Sequence, residues 1–176
     1  TWERAITRVD AWLSWQGDFS HSDLASETVW DRVGAEPIEI RVGDARYLTV
    51  RGYVSPDAED AETEAAFIGG DDTVVVFTDV ASLARYCRTA KDHALTKLEW
   101  WSELADLEDD AAFGPGLDAT YDLRKPSVRG AELLRDLAAV CNLDADTSVL
   151  DGPSVDKDDW RNLLEEVSGC LDPQDG

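Results

Sequence analysis

The chain has 176 residues and carries 38 Asp and Glu against 16 Lys and Arg, a formal net charge of −22. Repulsion from phosphates weighs against nucleic acid as a partner and against anionic membrane surfaces. With 43% hydrophobic residues the chain is long enough for one domain with its own core, and no apolar run approaches the ~20 residues of a membrane span.

The elements follow in chain order. Residues 2–15, WERAITRVDAWLSW, set Trp2, Ala5, Ile6, Val9, Trp12 and Leu13 on one stripe of an amphipathic helix that Gly17 ends. A short helix is expected near 22–33, with Ser22 or Asp23 as N-cap and Gly34 as the stop. The period then changes to two: Ile38, Ile40 and Val42 alternate with Glu39 and Arg41, and YLTVRGYV follows Gly43-Asp44, a hairpin pattern. Residues 55–64, SPDAEDAETE, hold a proline and five acids and read as an exposed acidic loop. After Gly69-Gly70, TVVVF at 73–77 has the β-branched chemistry of a strand covered on both faces. Thr78 or Asp79 caps a helix with Val80, Leu83, Ala84 and Cys87 on one side, and a further helix carries Leu95, Leu98, Trp101 and Leu104. Beyond the break at Gly114-Pro115-Gly116, residues 118–123 suit an edge strand or extended loop. Helices near 128–142 and 157–171 come next, and the tail 172–176 frays. The sum is an α+β fold: a small, mainly antiparallel sheet packed with several amphipathic helices, with helical N- and C-terminal segments. Residues 1–176 are read as a single domain. The absence of any Met and the lack of a signal-peptide layout in TWERAITRVD suggest a cytoplasmic piece of a longer reading frame.

Catalytic templates find no footing in these residues. Gly69-Gly70 precedes a strand rather than a helix, and neither GxGxxG nor GxxxxGK[ST] occurs. His21 and His93 stand alone, no GxSxG elbow is present, and Cys87, Cys141 and Cys170 form no CxxC pair, so they read as reduced, buried thiols. The acidic stretches 106–110, 144–151 and 156–159 lack the EF-hand pattern, and the last fits the start of a helix, where acids favour the dipole. No catalytic residue, metal site or cofactor is expected. Tryptophan is the unusual feature, with seven in the chain. Trp100 and Trp101 are neighbours that point about 100° apart on a helix, so one of them is expected at the edge of a groove. Trp15 and Phe19 mark a second place where large apolar groups meet a helix end. Trp100, Trp101, Trp15, Phe19 and Phe113 are the candidate binding residues.

Taken together, WQGDFSHSDLASETVW, VGAEPIEIRVGDARYLTVRGYV, DDTVVVFTDVASLARYCR and YDLRKPSVRGAELLRDLA make the chain resemble the C-terminal domain of SatS, a mycobacterial protein-export chaperone. The resemblance covers nearly the full length. It implies a cytoplasmic, non-enzymatic domain that works without ATP and protects unfolded or partly folded proteins bound for the accessory SecA pathway in hydrophobic grooves, with export machinery as a further partner. It brings no defined set of binding residues. Two other readings compete: an acidic adaptor that binds one folded partner, and an enzyme built from scattered acids such as Asp106, Asp122 and Asp151.

Overall fold

Alternation over residues 35–54 produces an antiparallel hairpin of β1 (Ala35–Val42) and β2 (Ala45–Val54), with Ile38 opposite Thr49 and Ile40 opposite Tyr47. The structure is a computed structural model and describes residues 28–54, 63–70, 72–151 and 155–174. The helix expected over 2–15 and most of the acidic loop lie outside the described residues. Ahead of the hairpin, α1 (Val29–Val33) starts later than expected. Its N-cap is Thr28, whose hydroxyl accepts from the Asp31 N–H while the Asp31 carboxylate accepts from the Thr28 N–H, a capping box; the expected caps Ser22 and Asp23 lie outside the described residues.

β3 (Glu64–Phe67) and β4 (Val74–Phe77) both run antiparallel to β2 and lie end to end along the same side of it, β3 beside Arg51–Val54 and β4 beside Leu48. They make one interrupted strand. Between them the chain detours through Gly69, whose φ is 149 and whose added Cβ would lie 2.2 Å from the Thr73 carbonyl oxygen, so a side chain there would clash. Two short strands then join in parallel: β5 (Thr120–Asp122) beside β1, and β6 (Leu171–Gln174) beside β4. The sheet therefore has six strands in the order β5-β1-β2-β4-β6, with β3 beside β2. The α+β class holds, with a more mixed sheet than the sequence suggested. The tail expected to fray, and Leu171 expected in the last helix, instead supply β6, because the Val74 N–H takes the Cys170 carbonyl at 3.0 Å and starts the pairing.

Helices cover both faces. On one face α3 (Val128–Val140) and α4 (Lys157–Ser168) pack Leu133, Leu134, Leu137, Trp160, Leu163 and Val167 onto Ile38, Ile40, Val74 and Val76. On the other, α1, α2 (Val80–Thr89) and a run of 3₁₀ turns pack Leu83, Cys87, Leu95, Trp101, Leu104 and Phe113 onto Leu48, Val50, Val75 and Phe77. This explains why Val74–Phe77 is apolar at every position: successive side chains enter different cores. The helix expected around Leu95, Leu98, Trp101 and Leu104 is instead two 3₁₀ turns, Ala94–Lys97 and Trp101–Asp106. Apolar residues recurring every third position stack along a three-residue turn, whereas an α-helix would rotate that stripe away from the core. No helix among the described residues is long and apolar enough to cross a membrane.

Candidate functional site

The interrupted strand leaves β3 as an edge, and a broad groove follows it. An opening of about 820 Å³ is backed by Val54, Glu64–Phe67 and Gly69-Gly70, walled on one side by residues 91–94 and 96–98, and reached on the other by Val140 at the end of α3. Its position depends on Gly52. A Cβ at that place would come within 2.8 Å of Leu95 Cδ2, so the bare backbone of β2 is what lets the fully buried Leu95 seat the 91–98 wall against the sheet. The Thr96 hydroxyl braces the wall by donating to the His93 carbonyl at 2.7 Å.

His93 forms the inner part of this wall. It stacks on Tyr86 at 5.9 Å and 28°, and meets Trp101 edge-on at 4.9 Å and 79°. Both imidazole nitrogens and the Trp101 indole nitrogen are buried without a hydrogen-bond partner among the described residues. Burial lowers the His93 pKa against a smaller opposing pull from Asp92, so the ring is held neutral. The rim balances Lys91 and Lys97 against Glu64 and Asp92. This local neutrality contrasts with the −22 of the whole chain. Ala65, Ala66, Ala94, Leu98 and Val140 contribute apolar side chains to a groove whose lining is polar and apolar in about equal parts.

A second groove of about 660 Å³ runs between α3 and the chain leading into α4, over Pro126, Val128, Ala131, Leu150 and Val155. Val128 is 79% exposed there. The dispersed acids weighed as an enzyme site do not converge. Arg124 holds Asp122 at 2.8 Å and keeps its carboxyl far below the usual range, Arg135 holds Asp151 at 2.6 Å, and Asp106 ends a 3₁₀ turn that packs on the other face of the sheet from the Asp151 segment.

Residues 35–129, more than half of the chain, match the family model described as the SatS C-terminal domain. The chain belongs to the SatS C-terminal domain family. Its fold also superimposes on the crystal structure of a SatS C-terminal domain in complex with bromine, with a TM-score of 0.63 and 24% sequence identity over 82% of this chain and 96% of that one. No curated protein matches the sequence.

Within this SatS family fold, the binding residues expected from sequence do not form one surface. Trp100 is 44% exposed, as expected for one of the tryptophan pair, but lies outside the groove lining. Trp101 and Phe113 are core residues, 5% and 0% exposed, and so are corrected from surface to interior. Phe113 is enclosed by Trp30, edge-on at 5.6 Å, and by the Arg88 guanidinium 4.9 Å from its ring centre. Trp15 and Phe19 lie outside the described residues. The groove is lined instead by residues that carry little signal of their own, alanines and glycines among scattered polar groups; the available hint was EAAFIGG, a short strand with a single charge entering a glycine pair directly after an acidic run. Of the cysteines, Cys87 and Cys141 are buried as expected and Cys170 is only half-buried; burial pushes the Cys87 thiol up to about 12.

Proposed function

We propose that this domain is a holding chaperone for proteins awaiting export by the accessory SecA pathway, and that the groove along β3 is where non-native clients sit. Membership of the SatS family supports export chaperoning. The observation that carries the groove assignment is local: in a strongly acidic molecule this groove, larger than the one beside α3, has a rim whose charges cancel among the described residues and apolar side chains from both the sheet edge and the wall. A client segment entering it meets apolar surface without local repulsion, while the surrounding negative field keeps the complex dispersed. Holding of this kind needs no nucleotide. Small, weakly specific lining residues suit broad client choice and modest affinity.

The test is light scattering from an exported protein diluted out of denaturant, without ATP, with the domain or an equally acidic inert protein present. The domain is expected to suppress aggregation near stoichiometric ratios. Ala94→Asp, which adds a charge at an exposed position on the wall, is expected to raise the amount required by about three- to tenfold, a change of roughly 1 kcal/mol in client affinity. Trp100→Ala should leave it unchanged. Suppression no better than the acidic control would remove the chaperone reading; suppression that survives Ala94→Asp but is lost with Val128→Asp would move the clients to the second groove.

A further inference from the structure

We infer that the outer edge of β3 takes up its ligand as an added β-strand, an extended segment of a client held by main-chain hydrogen bonds. The inference rests on the chaperone reading of the groove and specifies how that groove holds its ligand. The register of the sheet defines which backbone groups are available. The Ile68 N–H bonds to the Val50 carbonyl, and with Arg51 opposite Phe67 and Tyr53 opposite Ala65 the alternation of an antiparallel ladder directs Ala66 and Glu64 toward β2. The N–H and C=O of Ala65 and Phe67 therefore point outward, along the groove. Among the described residues no strand pairs with them.

The same edge already accepts a strand one step further on. Beyond the detour at Gly69, β6 lies against β4 with Val74 opposite Leu171 and Phe77 opposite Gln174. Half of the interrupted strand is thus completed by the chain itself, and the other half is not. The edges also differ in how they are guarded. β6 carries Asp172 and Pro173, and β5 is three residues long and runs into Arg124-Lys125-Pro126, devices that discourage pairing. The centre of β3 is Ala-Ala-Phe, with neither charge nor proline. A second copy of this chain is an unsuitable occupant because both copies carry −22. The fitting ligand is a neutral or basic, proline-free segment with apolar side chains alternating toward Val140 on one face and Ala94 and Leu98 on the other.

The probe is a fluorescent ten-residue peptide of alternating Val and Thr with a terminal Lys, compared with its ester analogue in which the central four amide N–H groups are replaced by oxygen. Side-chain burial is nearly the same in both, and only the donors are lost. Two missing hydrogen bonds of about 0.5–1.5 kcal/mol each should weaken binding at least about fivefold. On the protein side, Ala65→Pro removes an outward N–H, the donor to a carbonyl that both peptides keep, while leaving the β2 ladder intact, and should weaken amide and ester peptides alike by about two- to tenfold; should that variant fail to fold, the peptide pair still decides. Equal affinity of amide and ester peptides would overturn strand addition while leaving the groove as an apolar client site. If neither peptide binds but aggregation is still suppressed, clients sit elsewhere and the inference falls with the groove assignment while the chaperone reading stands; if suppression is also absent, all of it falls. A dimer at working concentration that Ala65→Pro abolishes, with no peptide binding, would assign the edge to a second copy and overturn the inference.

Discussion

His93 shows how a single side chain ties the groove wall to the core. Its ring lies between Tyr86 and Trp101 with neither nitrogen satisfied, which is tolerable only while the ring is neutral. Because burial lowers its pKa below the ordinary 6.5, the unfolded chain binds a proton more readily than the native one as pH falls through that value. Stability at this position is therefore complete above about 6.5 and declines below it, with a slope no steeper than about 1.4 kcal/mol per pH unit, until the folded group also protonates. Urea unfolding of the wild type and of His93→Leu at pH 7.5 and pH 5.5 isolates the effect. The wild type should lose more stability across that interval than the variant, and equal losses would show that His93 does not contribute. Glu39 offers the opposite case. Burial raises its pKa, but bonds from Arg46 at 2.5 Å and Arg41 at 2.7 Å outweigh that and lower it, so its contribution is lost only at more acidic pH.

At the level of elements, the groove depends on how closely the 3₁₀ wall approaches β2. Gly52→Ala would drive a methyl into Leu95, and overpacking of this sort costs about 1–3 kcal/mol. A fall of that size in urea-derived stability, together with weaker client holding, is the expected result; a neutral substitution would mean that the wall shifts freely. Much of this architecture was legible beforehand. Period-two alternation gave the hairpin, the run of valines gave the doubly covered strand, and Asp79 caps its helix as expected, while Ser127 and Asp156 cap the next two through a side-chain oxygen without having been picked out from the sequence. The 3₁₀ turns were misread as a helix, although Leu95, Leu98, Trp101, Leu104 and Leu107 recur at intervals of three, the 3₁₀ period rather than 3.6. What sequence could not convey was pairing between distant segments. Residues 118–123 suited an edge strand, and TYD is one, but its parallel partner β1 could not be read; LDPQ has no strand signature and pairs because β4 presents a free edge beside it. The groove was hidden for the same reason: its residues are unremarkable until topology leaves β3 uncovered.

Across the whole molecule the acidic excess opposes compaction, and the ion pairs do little to relieve it. Of the nine among the described residues four are exposed, such as Arg161–Asp158 and Arg124–Asp122, and pairs of that kind contribute about 0–1 kcal/mol each. Raising ionic strength from about 0.01 to about 0.15 M shortens the screening length from about 30 to about 8 Å and should relieve more repulsion than it removes attraction. The urea midpoint is expected to rise with sodium chloride over that range. A falling midpoint would mean that the favourable pairs outweigh the 38 acids.

The late position of β6 in the chain also has a consequence in time. Its partner β4 is made long before it, and a parallel ladder between segments so far apart closes late, after the local hairpin and helices are in place. During synthesis the newborn domain therefore has an exposed flank along the whole of β3 and β4, and it matures by capturing its own last strand. Under the proposed holding role the domain passes through the same vulnerable stage as its clients, and its abundance in the cell should depend on how quickly β6 docks.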